Sequence, residues 1–195
     1  MRMAIRKPMR QHLLAGFTLV ELLIVVIILA ILAAIVIPQF SSSTTDAKES
    51  ALDANLGALR NAIELYRVQH NAIYPGAVAT SAGAACGVPA AKGTGAANSA
   101  QAWIDSMVMY SDVAGNTCTV GDATVYKFGP YVRSKVPADP ITGKGSVAAD
   151  IVVTTTGVPI VPAAATGGWA TDTKSGQVVM NSNALDSKGV AYSTH

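Results

Sequence analysis

Charge is what this 195-residue chain has least of. Only 13% of it is Asp, Glu, Lys or Arg, against about 25% in an ordinary soluble domain. Half of it is hydrophobic. The shortage is local. Between Arg10 and Asp46 the only charged residue is Glu21, and from Leu22 to Ile37 there is no polar side chain at all. Such a run excludes a fully disordered chain and argues against an ordinary cytosolic enzyme. Acid is missing from the start: Arg2, Arg6, Lys7 and Arg10 precede Gly16 with no Asp or Glu among them. Without those four of the 14 basic residues, ten face 12 acidic ones. The formal charge of +2 therefore belongs to the first segment, and the rest offers nucleic acid no electrostatic attraction. Histidine is scarce: His12, His70 and His195 lack the spacing of a metal pair. The chain has no phosphate-binding glycine loop, nucleophile elbow or zinc motif. No catalytic constellation is visible, and neither enzyme activity nor a cofactor is expected.

What is present begins with an unusual order of parts. A secretory signal places its small-residue cleavage site after the apolar core. Here Ala15 and Gly16 precede the apolar run, so a cut there would keep the hydrophobic segment as the new N-terminus. Residues Phe17 to Ile37 extend about 31 Å as a helix, enough to span the core of a bilayer. The basic leader favours the cytoplasmic side and sends the remainder outward. Glu21 is the anomaly. A carboxylate at the centre of a spanning helix costs about 2.5–3.5 kcal/mol, and near an end it can snorkel to the surface. It lies one turn from Phe17, where cleavage after Gly16 would create an ammonium, its natural partner in apolar surroundings.

Gly16-Phe17-Thr18-Leu19-Val20-Glu21-Leu22-Leu23-Ile24 closely resembles the cleavage and methylation signature of type IV prepilins and type II secretion pseudopilins. The resemblance extends to Phe40. It implies cutting between Gly16 and Phe17 by a prepilin peptidase, and N-methylation of Phe17 by the same enzyme from S-adenosylmethionine. It also implies a role in assembly for Glu21, which neutralises the N-terminal amine of a neighbouring subunit, and a kink or melted stretch at Pro38. The implied fold is α+β: a long N-terminal helix packed on a small antiparallel sheet. The implied parts are a cleaved leader (1–16), a membrane or filament-core helix (17–40), and an amphipathic helix half with a globular head (41–195). The implied life cycle starts in the inner membrane with the head in the periplasm. An assembly platform and ATPase then draw the subunit into a homo-oligomeric helical filament outside the cell.

The rest of the chain fills in the head. Asp46 and Glu49 have the spacing of an acidic capping box that could restart the helix after Pro38 and the Ser41–Thr45 run. From Ala47 to His70, Leu52, Leu56, Leu59, Ile63 and Tyr66 recur at steps of four and three, the stripe of an amphipathic helix. Residues 77–101 read as a surface loop. Residues 101–110 read as a short helix presenting Trp103, Met107 and Tyr110 to the core. Strands are expected at 124–128, 151–155, 158–161 and 176–181, with Pro159 confining its strand to an edge. Cys86 and Cys118 are the two cysteines. Both would lie outside the cytoplasm, where a bridge persists. It would be worth about 3–4 kcal/mol.

Two further segments, 129–140 and 168–181, are similar to a helix–sheet loop and a terminal hairpin of pilin-like proteins. Major pseudopilins carry an acidic calcium loop near the C-terminus. Here Asp150, Asp172 and Asp186 are widely spaced, a poor match for six to eight oxygen ligands. The pattern therefore favours a pilus subunit over a secretion pseudopilin, while a minor pilin with a ligand-binding head, for DNA uptake or adhesion, stays open as an alternative.

Overall fold

The computed structural model describes residues 16–87 and 89–195. The chain divides into two compact units, one ending at Ser43 and the other covering Thr44–His195. Helix α1 (Leu19–Gln69) begins in the first and ends in the second. The backbone is helical through Pro38 and the serine–threonine run, so no melted stretch interrupts it. The hydroxyls of Ser42 and Ser43 fold back to donate to the carbonyl of Gln39. Serine in a helix interior finds its partner this way.

The expected restart by Asp46 and Glu49 does not occur, because no helix end exists there to cap. Glu49 instead faces inward, only 7% exposed. It accepts hydrogen bonds from the N–H (2.8 Å) and hydroxyl (2.6 Å) of Ser187 and the phenol of Tyr192 (3.1 Å). The helix closes with a bond from the Ala72 N–H to the Arg67 carbonyl, and Asn71 takes the left-handed conformation (φ 52°) that such a close requires.

In the second unit the predicted stripe is the core. Leu52, Leu56, Leu59 and Ile63 pack with Trp103 and Met107 of α2 (Ala100–Val108), with Val136, and with Trp169, Val178 and Met180 of the sheet. Each large side chain removed from water contributes about 1.5–3 kcal/mol. Ser99 caps α2, its hydroxyl accepting from the Ala102 N–H. Tyr110 falls outside that helix, in a two-residue strand β1 (Tyr110–Ser111) paired antiparallel with β2 (Thr117–Cys118).

The main sheet has three strands in the order β3 (Ile151–Thr154), β4 (Trp169–Asp172), β5 (Val178–Met180). It is mixed rather than antiparallel: β3 runs parallel to β4, and β4 antiparallel to β5. Segment 155–168 is long enough for the crossover that a parallel pair needs. Residues 158–161 lie in this crossover and form no strand. Pro159 and Pro162 lack N–H groups, and Val158 and Val161 are solvent-exposed. Residues 124–128 also form no strand. The Asp122 carboxylate accepts the N–H groups of Thr124 and Val125 and curls the chain. Only Phe128 pairs, as a single bridge to Ser111.

The 77–101 segment is less of a surface loop than its composition suggests. The buried Asp105 of α2 accepts from the Thr80 hydroxyl, the N–H groups of Thr94 and Gly95 and the Gln101 amide.

Candidate functional site

The residues singled out by the sequence occupy two separate places. Gly16, Phe17 and Glu21 cluster at the start of α1, while Cys86 and Cys118 lie in the second unit. The leader residues 1–15, including His12, lie outside the described residues.

At the helix start, Thr18 is the cap. Its hydroxyl accepts from the Glu21 N–H at 3.2 Å. The Glu21 carboxylate accepts in return from the Thr18 N–H at 2.8 Å and from the Thr18 hydroxyl at 2.9 Å. This is a reciprocal capping box, which satisfies two donors that a helix start leaves orphaned. Both Thr18 bonds fall on Oε2, and Oε1 takes no hydrogen bond among the described residues. The carboxylate thus holds its own helix end with one oxygen and presents the other. Thr18 is the functional residue that the sequence reading missed. Its signal was available in T-x-x-E directly before an apolar run.

The Gly16–Phe17 peptide is open. Phe17 is 79% exposed, and a Cβ built on Gly16 would meet nothing within 4 Å. Beyond it, the large apolar side chains from Leu19 to Ile37 are exposed on every face of the helix. This stretch of α1 is long and apolar enough to cross a membrane. A helix that is apolar all round is stable only when lipid or other helices cover it.

In the second unit Cys86 and Cys118 form a disulfide, with Cα atoms 6.0 Å apart and a sequence separation of 32. The bridge fastens Cys86 to β2. Nearby, the Tyr126 phenol donates to the Ala84 carbonyl at 2.6 Å.

The buried carboxylates are filled by N–H and O–H donors. Asp172, at the end of β4, accepts through Oδ2 from Thr154, Thr156 and Gly157. Its Oδ1 accepts from Lys174 and Ser175. Burial alone would raise its pKa, but the Ser175 and Gly157 N–H groups and the Thr154 hydroxyl outweigh burial and hold it well below the usual carboxylate range. Asp139 is likewise filled by the N–H groups of Ile141, Thr142 and Gly168 and the Thr142 hydroxyl. Among the described residues no group of three or more His, Cys, Asp or Glu side chains is placed to hold a metal.

Comparison with known proteins gives two likenesses. Residues 15–37 match the prokaryotic N-terminal methylation motif. The chain is also 39% identical over 61 residues to the type II secretion system core protein G of Pseudomonas aeruginosa, an alignment covering 31% of this chain and 42% of that protein. The chain thus spans less than half the length of that relative. No solved structure matches. The motif, the relative and the α+β arrangement around one long apolar helix support the type IV pilin and pseudopilin family. The matched motif and the long apolar helix fit a membrane-anchored protein.

Proposed function

We propose that this chain is the structural subunit of a type IV pilus-like filament. Prepilin peptidase cuts it between Gly16 and Phe17 and methylates the new Phe17 amine. The subunit waits in the inner membrane, with residues 17–40 spanning the bilayer and the head in the periplasm. An assembly platform and its ATPase then transfer it into a helical homo-oligomer outside the cell. There the apolar half of α1 exchanges lipid for the same segment of its neighbours, a kink at Pro38 fits the helix to them, and Glu21 meets the Phe17 amine of an adjacent subunit.

The observation that carries this reading is the methylation motif at residues 15–37, seated on a helix start where the Gly16–Phe17 peptide is open and one oxygen of Glu21 takes no hydrogen bond among the described residues. A carboxylate in an apolar fibre core is tolerable when an ammonium sits against it, and the mature N-terminus is the ammonium that the chain itself supplies.

Mass spectrometry of sheared surface filaments tests this. The intact mass should correspond to loss of residues 1–16 and gain of about 14 Da from the methyl group. Recovery of Arg2 or Arg10 in the filament form would overturn the processing scheme.

A second reading, a subunit of a short periplasmic secretion pseudopilus, is favoured by one observation: the relative is a core protein of a type II secretion system. The location of the filament, surface or periplasm, separates the two. Copy number separates a major subunit from a minor one with a ligand-binding head.

A further inference from the structure

His70 lies beyond anything the filament reading uses. It stands just past the end of α1, where its side chain is fully buried. Its ring stacks on Tyr66, centroids 3.7 Å apart and planes 8° from parallel. Phe128 and Tyr131 meet it edge-on at 5.4 and 6.1 Å. Both nitrogens are engaged: Nδ1 is 2.7 Å from the Tyr66 carbonyl, and Nε2 is 2.9 Å from the Ser111 hydroxyl of β1. A carbonyl only accepts, so Nδ1 carries the hydrogen and Nε2 accepts from Ser111. The geometry selects one neutral tautomer.

From these contacts we infer that His70 is an acid-sensitive lock. As a neutral ring it ties the end of α1 to β1 and to segment 128–131, and a proton on Nε2 releases that tie. The proton would need an acceptor exactly where Ser111 donates, so the Ser111 hydrogen would have to turn away. The new charge would sit among three aromatic rings without water.

The groups facing the ring do not compensate. On α1, Tyr66 lies against it, while Arg67 and Glu64 pair with each other at 3.3 Å on the helix surface. Burial pushes the phenols of Tyr66 and Tyr131 up to about 12, so both stay neutral. On the 127–131 segment, Lys127 lies over the far ring, Phe128, at 5.2 Å and repels a charge there. Asp112, after β1, attracts the proton, but its carboxylate is already committed to Ala114 and Asn116. Burial is the larger influence and lowers the His70 pKa, against the smaller raising effects of the Tyr66 carbonyl and Asp112.

The sign follows. With the folded pKa below the unfolded value of about 6.5, the unfolded chain binds the proton first, and stability falls as pH drops through that value. The full chain in detergent micelles, carrying His12→Asn and His195→Asn so that His70 is the one imidazole, tests this by urea unfolding between pH 7.5 and 5.5. The folded-to-unfolded ratio at fixed urea should fall at pH 5.5, by at most about tenfold. Adding His70→Gln should abolish that fall. Hydrogen exchange in peptides covering 66–70 and 107–131 should accelerate at the lower pH before the rest of the head. An unchanged ratio, or an equal fall with His70→Gln, would overturn the inference. If that variant does not fold, the NMR titration of the His70 ring in the doubly substituted chain decides: a folded-state pKa at or above about 6.5 overturns the lock, and a lower one upholds it. The filament reading stands or falls separately, on the mass of the mature chain.

Discussion

At Glu21 the helix cap and the proposed assembly charge fall on one carboxylate, and one substitution separates them. Glutamine serves in a capping box as well as glutamate does, so Glu21→Gln should keep the start of α1 intact while removing the charge. Leader cleavage and head folding should be unchanged, and filament yield should fall sharply, measured by shearing and quantitative blotting against total membrane-bound subunit. Wild-type yield from Glu21→Gln would leave the carboxylate as a helix cap only. A second residue-scale prediction concerns Asp172, whose loss strands donors from Thr154 to Ser175. Asp172→Ala should cost at least about 3 kcal/mol, the penalty for several buried donors left unpaired, read as a lower urea midpoint with no change in slope. Asp172 and Glu49 also set the acid limit of the head. Ser187 and Tyr192 hold the Glu49 carboxyl below its ordinary pKa against the opposing effects of burial and Asp186. A lowered carboxyl pKa gives stability that is complete above the unfolded value of about 4 and is lost as pH falls through the folded one. Unfolding scans below pH 5 should therefore show a loss that Glu49→Gln reduces.

At the scale of elements, the disulfide and the crossover make opposite kinds of prediction. Cys86→Ser opens the loop closed across a sequence separation of 32 and should destabilise the head by about 3–4 kcal/mol, seen in a thermal melt with and without reductant. Gly168 holds the backbone at φ +76° where β4 begins, and a Cβ there would collide with the Asp150 carbonyl oxygen. Gly168→Ala should therefore lower the melting temperature by several degrees, through forced backbone movement rather than lost contacts. The elements legible in the sequence were those with long-range periodicity. The Leu52–Tyr66 stripe predicted both the helix and its buried face, because one face repeated over about four turns outweighs local noise. The small strands were not legible. β1 and β2 have two residues each, too short for alternation, and Tyr126 and Phe128 imitated a strand while Asp122 was curling the chain. The parallel pairing of β3 with β4 depends on the path of the 155–168 crossover, which no local pattern encodes. At the candidate site, Glu21 stood out as a lone charge, whereas Thr18 did not, because a threonine beside an apolar run carries no electrostatic cost.

For the molecule as a whole, the filled carboxylates bear on how the second unit keeps its shape. Asp139 and Asp172 draw their partners from the chain's own N–H and O–H groups, so a divalent cation would have to displace bonds already made. Chelation should leave the unfolding midpoint of the head within experimental error of its value in added calcium. A large calcium-dependent rise would favour the secretion pseudopilus instead. The chain also carries its own optical probe. Its two tryptophans, Trp103 and Trp169, are both fully buried and belong to the same core cluster, and there is none in residues 17–40. Emission from the intact subunit therefore comes from the head alone. A red shift during detergent extraction, or during the proposed fibre growth, would report that the head had opened, with no contribution from residues 17–40.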